Sequence, residues 1–273
     1  MRITTFTRQL VYIVGGSTGI GLETGKIIAK SGGNLVIFAR NEEKLRSAIQ
    51  SFDMLKKDSQ QQFSYHVLDV SKYDDVRKMM EKCVVDHGVP TLLINCAGRA
   101  LPHKFDEISY TQLDDTMKIN FYGIWNVCSC LVPYMKQNGG YIVNTASMAG
   151  FMGIFGYTDY SASKFAIMGF SEALRSELKS SNIGVSVLCP PDTNTPGFQT
   201  ENLTKPKETQ AISAGTKIMT AEQVARGLLN GIMKQQSVII PSFDGKMTYF
   251  LKRIWPSLVE YYMDKTIAKS KKN

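Results

Sequence analysis

Residues 9–21 read Q-L-V-Y-I-V-G-G-S-T-G-I-G. A short apolar run that stops at glycine is the pattern of a strand buried on both faces. Glycines 15, 19 and 21 follow in G-x-x-x-G-x-G spacing, and a helical stretch continues to about Lys30. Small residues at such a turn let backbone N–H groups approach a pyrophosphate, and the helix N-terminus adds partial positive charge. Glycines alone would mean no more than a tight turn. With a strand before them and a helix after, they mark a phosphate loop whose candidate residues are Gly15, Ser17, Thr18, Gly19, Ile20 and Gly21.

The pattern repeats downstream. N-L-V-I-F-A at 34–39 is a second apolar strand, and Arg40 follows it where a dinucleotide fold meets the adenosine ribose. An acid there would favour NAD, whereas arginine can pair with a 2′-phosphate, so NADP(H) is the better fit. Leu45, Ile49, Phe52 and Leu55 recur at helical spacing from Glu42 to about Lys57. A third strand over 62–68 ends at Asp69-Val70, where Asp69 either orients an adenine or caps a helix starting near Lys72. T-L-L-I-N then leads into Asn95-Cys96-Ala97-Gly98, small enough for a cofactor to lie against the backbone. Four alternations of strand and helix argue an α/β fold, a Rossmann-type doubly wound parallel sheet in three layers and one domain. Ligands in such sheets bind at the carboxyl ends of the strands, where Gly15, Arg40, Asp69 and Asn95 all fall.

The second half supplies reactive groups. Tyr160 and Lys164 are four residues apart, so a helix presents them on one face, and a nearby ammonium is expected to lower the phenol pKa. Ser147, at the end of a strand Y-I-V-N-T, can bring a hydroxyl to the same point. Asn120 sits between two helical stretches, where a kink would set it apart. The second of these, Phe121 to Met135, is apolar nearly all round and suggests pairing with another copy. Three prolines and a glycine constrain residues 190–198, and the weakly patterned stretch that follows suits a mobile lid within a substrate loop spanning 191–218. A helix over about 221–234 and a strand S-V-I-I-P close the domain at about residue 240.

Composition narrows the setting. The 273 residues are 43% hydrophobic and 21% charged, with net charge +8. No arginine-rich arm or zinc-finger framework accompanies that charge, so nucleic acid is not expected as a partner. The five cysteines are odd in number and form no metal-like pair of pairs, so no metal is expected, and free thiols suit a reducing, cytoplasmic setting. Residues 1–8 are too short and polar for a secretory signal, and no apolar run is long enough for a spanning helix. The 241–273 tail is basic and aromatic. Its 246–263 segment, divided by Pro256, suits either a membrane interface or an arm packed on the domain. His66 and His87 read as structural, and Lys269 with Lys271 is spaced like a retrieval signal.

Together G-G-S-T-G-I-G, N-C-A-G, Asn120, Ser147 and Y-S-A-S-K resemble the short-chain dehydrogenase/reductase family over residues 9–240. Val14 and Cys96 depart from its usual pattern, which has threonine and asparagine there. The resemblance implies catalysis by Asn120, Ser147, Tyr160 and Lys164. It implies cofactor contacts at the glycine loop, Arg40, Asp69, Val70, Asn95, Ala97, Gly98, Tyr160, Lys164, Pro190, Thr193 and Thr195, and a homodimer or homotetramer. Within the family, L-P-H-K-F at 101–105 and P-P-D-T-N-T-P-G-F at 190–198 resemble members that reduce the long-chain lipophilic ketone 3-ketodihydrosphingosine, on the cytosolic face of the endoplasmic reticulum in eukaryotes. A steroid, retinoid or fatty-acyl ketone, or a catalytically silent nucleotide-binding scaffold, are the competing readings.

Overall fold

The computed structural model describes residues 2–270, so Lys271 and Lys272 of the basic terminus lie outside the described residues. The chain alternates as expected: β1 (Leu10–Val14), α1 (Gly19–Lys30), β2 (Asn34–Ala39), α2 (Glu42–Asp53), β3 (Phe63–Val67), α3 (Tyr73–His87) and β4 (Leu92–Asn95). Next come α4 (Tyr110–Met117), α5 (Gly123–Asn138), β5 (Gly140–Thr145), α6 (Thr158–Leu178) and β6 (Ile183–Leu188). After β7 (Thr193–Asn194), the chain forms α7 (Pro196–Asn202), α8 (Lys207–Ala214), β8 (Met219–Thr220), α9 (Ala221–Met233), β9 (Val238–Ile239), α10 (Phe243–Ile254) and α11 (Pro256–Ser270).

Seven strands form one sheet in the order β3-β2-β1-β4-β5-β6-β9, every neighbouring pair parallel. Alternate residues of each strand feed opposite faces. Tyr12, Val14, Val36 and Phe38 join a core with α3, α5 and α6, whereas Val11, Ile13, Leu35 and Ile37 join one with α1, α2 and α9. That double burial is why the strands read as unbroken apolar runs rather than as alternating ones. Strand order reverses between β1 and β4, and the crevice of a doubly wound sheet opens at such a point.

Two sequence expectations change. The α2 helix stops at Asp53 rather than near Lys57, with Leu55 left half-buried in the turn after it. The weakly patterned 199–218 stretch is more regular than its sequence suggests: it holds the end of α7 and all of α8, next to a β7–β8 ladder. Thr195 caps α7 by accepting from the Phe198 amide at 3.1 Å, and Pro196 occupies its first turn.

Pro256 does divide the tail. The α10 helix packs Tyr249 edge-on against Phe151 at 5.0 Å, and α11 lies against α8, so the tail braces the loops over the crevice. Phe243, Met247, Phe250 and Ile254, at helical spacing on α10, stay exposed with Trp255. Among the described residues no helix is long and apolar enough to cross a membrane.

Candidate active site

The glycine loop passes directly over the β4 end. Gly15 has φ +84°, and a Cβ there would lie 2.6 Å from the Ala97 amide nitrogen. A Cβ on Gly21 would lie 2.2 Å from the Gly15 carbonyl oxygen. Only glycine fits either position, and the α1 N-terminus above them carries no acidic residue and no side-chain cap from Thr18. Its first-turn N–H groups therefore face the crevice free to meet an anion. Thr195 reaches the same place: a Cβ on Gly19 would meet its methyl at 3.1 Å. Arg40 is exposed just past β2, close enough to Asp69 to favour that carboxylate's charge. This cradle, bare of side chains at the glycine loop and backed by the α1 N-terminus, fits a dinucleotide pyrophosphate.

Not every expected contact faces the crevice. The Asn95 side chain is buried in an amide ladder, donating to Asn144 at 2.9 Å, which in turn donates to Ser171 at 2.9 Å. Any cofactor contact from Asn95 is confined to its backbone. Asp69 does not cap α3; its carboxylate accepts from the Ser71 amide and hydroxyl at 3.0 and 2.7 Å. The Val70 carbonyl is held by Asn126 at 2.9 Å. The Pro190 carbonyl accepts from the Met148 amide at 3.3 Å, which ties the proline loop to the turn carrying Ser147. Thr193 is buried, with its hydroxyl on the Pro191 carbonyl at 2.7 Å.

The catalytic candidates converge. Between α4 and α5 the helix widens into a π-turn over Lys118–Tyr122, where the Gly123 amide reaches back to the Lys118 carbonyl. Such turns often mark functional sites, and this one aims Asn120 inward, fully buried. Asn120 donates to the Arg99 carbonyl and the Ser163 hydroxyl, each at 3.0 Å, and accepts from the Arg99 amide at 2.9 Å. It thereby pins the loop after Gly98, where a Cβ would lie 3.2 Å from Asn120 Oδ1 and 3.5 Å from Lys164 Nζ. Lys164 donates to the Thr145 carbonyl at 2.9 Å and lies 5.4 Å from the Tyr160 ring centre. Ser147 presents its hydroxyl to the Tyr160 phenol.

Electrostatics differ from expectation in one respect. Tyr160 is not pulled down by Lys164. Burial pushes its pKa well above the ordinary phenol value and the Glu201 carboxylate adds to this, while the Ser147 hydroxyl draws it partly back. Burial also pushes the Lys164 ammonium down to about 8. A buried phenol facing a carboxylate keeps its proton, the state a proton donor needs.

Sequence reading missed the acidic wall beside this donor. Tyr157, whose ring centre is 5.5 Å from that of Tyr160, donates to Glu201 of α7. The Lys205 ammonium lies 3.1 Å from Glu201 and 3.9 Å from Asp192, its side chain 2% exposed, and over the Phe198 ring at 4.2 Å. None of its N–H bonds is aligned for a hydrogen bond. Asp159 was missed too: it is buried, accepts from Thr116 at 2.8 Å and from the Tyr160 amide at 2.8 Å, and so fixes the start of α6. Only a polar i, i+4 pair, Glu201 and Lys205, hinted at this wall in the sequence.

The family model described as short chain dehydrogenase matches residues 9–206. The chain is a short-chain dehydrogenase. This dehydrogenase is 38% identical over 221 residues to the 3-ketodihydrosphingosine reductase of Bos taurus, covering 80% of this chain and 67% of that one. It is 33% identical over 241 residues to the 3-oxoacyl-[acyl-carrier-protein] reductase FabG of Chlamydia muridarum, covering 86% and 95%. Among solved structures, a short chain dehydrogenase/reductase from Burkholderia phymatum in complex with NAD superimposes with a TM-score of 0.82, covering 94% of this chain and 96% of that one, at 22% identity. The dehydrogenase thus shares the sheet and crossover pattern of that fold, and it is an oxidoreductase by family.

Proposed function

We propose that this dehydrogenase reduces 3-ketodihydrosphingosine to dihydrosphingosine with NADPH. The observation that carries the substrate is the Glu201–Asp192 acid pair beside Tyr160. The substrate class has an ammonium on the carbon next to its ketone. Both carboxylates lie close enough to Tyr160 to push its pKa up, which puts negative charge on the side of the phenol where the substrate's ammonium would lie. Lys205 neutralises the pair in the free protein and marks it as a cation site. The bovine relative's name agrees. A 3-oxoacyl substrate, as the chlamydial relative's name would suggest, has no cation to meet that wall.

Arg40 supports NADPH over NADH through its charge at the ribose position. When bound, the dihydronicotinamide supplies a hydride to the carbonyl carbon. Tyr160 gives its phenolic proton to the carbonyl oxygen, and Ser147 donates a hydrogen bond to that oxygen as charge gathers on it. Lys164, held on the Thr145 carbonyl at 2.9 Å, would hold the nicotinamide ribose and stabilise the phenolate left on Tyr160. Asn120 fixes the Gly98–Arg99 loop and positions a water that links Lys164 to solvent.

Two surfaces suggest where the protein works. Trp125 on α5 is half exposed and clusters with Phe121 and Phe170 of α6, a face suited to a second copy. The exposed α10 row of Phe243, Met247, Phe250 and Ile254, with Trp255 and nearby Lys252 and Arg253, suits peripheral contact with the cytosolic face of an anionic membrane, from which a long-chain substrate is drawn.

The test is NADPH oxidation by the purified protein across a panel: 3-ketodihydrosphingosine, its analogue without the amino group, a 3-oxoacyl thioester, a steroid ketone and a retinoid aldehyde. The amino ketone should give the highest kcat/KM. A higher value for the thioester or for the des-amino analogue would overturn the reading.

A further inference from the structure

At edge strand β3, on the face of the sheet that packs α3, α5 and α6, three metal-ligating side chains meet. His66 lies on β3, while Cys83 and His87 are one turn apart on α3 and therefore share a helix face. The three ligand atoms all lie within 4.8 Å of one another. The two imidazole Nε2 atoms are 3.3 Å apart. Two Zn–N bonds of about 2.0–2.1 Å at a tetrahedral angle place their nitrogens about 3.3–3.4 Å apart. The imidazole separation found here is therefore the one a single tetrahedral ion requires.

The cluster is held rigidly. Phe38 stacks on His66, with ring centres 5.7 Å apart and planes at 23°. The Tyr12 hydroxyl donates to the carbonyls of Cys83 and Gly88, each at 2.9 Å, and so clamps the last turn of α3 that carries both helical ligands. Cys83 is fully buried, whereas His66 and His87 are half-buried, leaving solvent access from the imidazole side. The neighbouring Asp86 carboxylate is paired with Lys82.

We infer that His66, Cys83 and His87 bind one first-row transition ion of the Zn²⁺ type, with water from the solvent side as fourth ligand. Two imidazoles and a thiol select such an ion and offer nothing to Mg²⁺ or Ca²⁺, which prefer oxygen. The ion would tie edge strand β3 to α3, three residues before Asp69 at the rim of the cofactor crevice. This site is independent of the substrate assignment.

The alternative is a bare imidazole–imidazole hydrogen bond beside a core thiol, and a cobalt titration separates the two. The untagged full-length protein is stripped with chelator and titrated with Co²⁺. One equivalent should give thiolate-to-cobalt charge transfer and tetrahedral d–d bands, which Zn²⁺ then displaces. Cys83→Ala should abolish the charge-transfer band. Because that change opens the core, His87→Asn at the half-exposed position is the second variant; it should keep the circular dichroism of the parent yet weaken Co²⁺ binding at least tenfold. Zn²⁺ should also raise the parent's melting temperature by a few degrees and leave that of His87→Asn unchanged. No tetrahedral spectrum in the parent, or the same spectrum and affinity in folded His87→Asn, would overturn the inference.

Discussion

Glu201→Gln is the most informative change at the acid wall. The amide keeps the shape and still accepts from Tyr157, so the loss is confined to one negative charge. A hydrogen bond to a charged group contributes about 1.5–3 kcal/mol. At about 1.36 kcal/mol per tenfold, kcat/KM for the amino ketone should fall roughly 10- to 150-fold. The des-amino analogue, with no cation to lose, should change less than about threefold at the ~0.6 kcal/mol level of indirect effects. The substitution also leaves Lys205 buried with only Asp192, at 3.9 Å, to balance it. Breaking a fully buried pair costs about 3–5 kcal/mol; because Asp192 stays, a loss of about 1–3 kcal/mol is the expectation here. Adding Lys205→Met should restore the melting temperature without restoring the preference for the amine. Initial rates of NADPH oxidation on both ketones, with thermal melts alongside, read all of this. If both ketones lose rate equally, or if Lys205→Met restores amine preference together with stability, Glu201 does not bind the ammonium.

Three further expectations follow from the same geometry. Arg40→Asp should raise KM for NADPH by about 10- to 100-fold, the worth of a charge-assisted phosphate contact, and leave NADH nearly unchanged; equal effects on both cofactors would remove Arg40 from the phosphate site. Because burial brings Lys164 from 10.5 to about 8, its protonated fraction falls as pH rises through about 8. NADPH kcat/KM should decline above that point, while stability rises between about 8 and 10.5 because the unfolded chain binds the extra proton there; activity flat to pH 10 would contradict a role for the ammonium. Phe250→Ser with Trp255→Ser should cut sedimentation with anionic liposomes at least tenfold, since each buried aromatic contributes about 1.5–3 kcal/mol, with turnover of a short-chain soluble ketone retained; unchanged sedimentation would leave the tail as a packing arm alone.

The sheet was legible because strands buried on both faces write themselves as apolar runs, and because Gly15 and Gly21 occupy positions where a Cβ collides with backbone. Asn120 was legible as a break between two helical patterns, and the π-turn is the physical form of that break. Residues 199–218 were not, since α7 and α8 are short, cover their partners with few apolar side chains and depend on Thr195 and the β7–β8 ladder. The direction of the Tyr160 shift was missed for a related reason. Spacing on one helix reveals Lys164, but neither burial nor the approach of Glu201 from a separate helix is written in local sequence. The cluster of His66, Cys83 and His87 was hidden likewise, because β3 and α3 bring together residues that share no compact motif.

Deuterium transfer tests the central claim most directly. The purified protein is incubated with 3-ketodihydrosphingosine and NADPH carrying deuterium at the transferable C4 position, and the product is analysed by mass spectrometry. The account predicts dihydrosphingosine one mass unit heavier, with the label on C3, from the parent protein, and none from Tyr160→Phe although NADPH still binds. Unlabelled product, no product from the parent, or full labelling by Tyr160→Phe would contradict it.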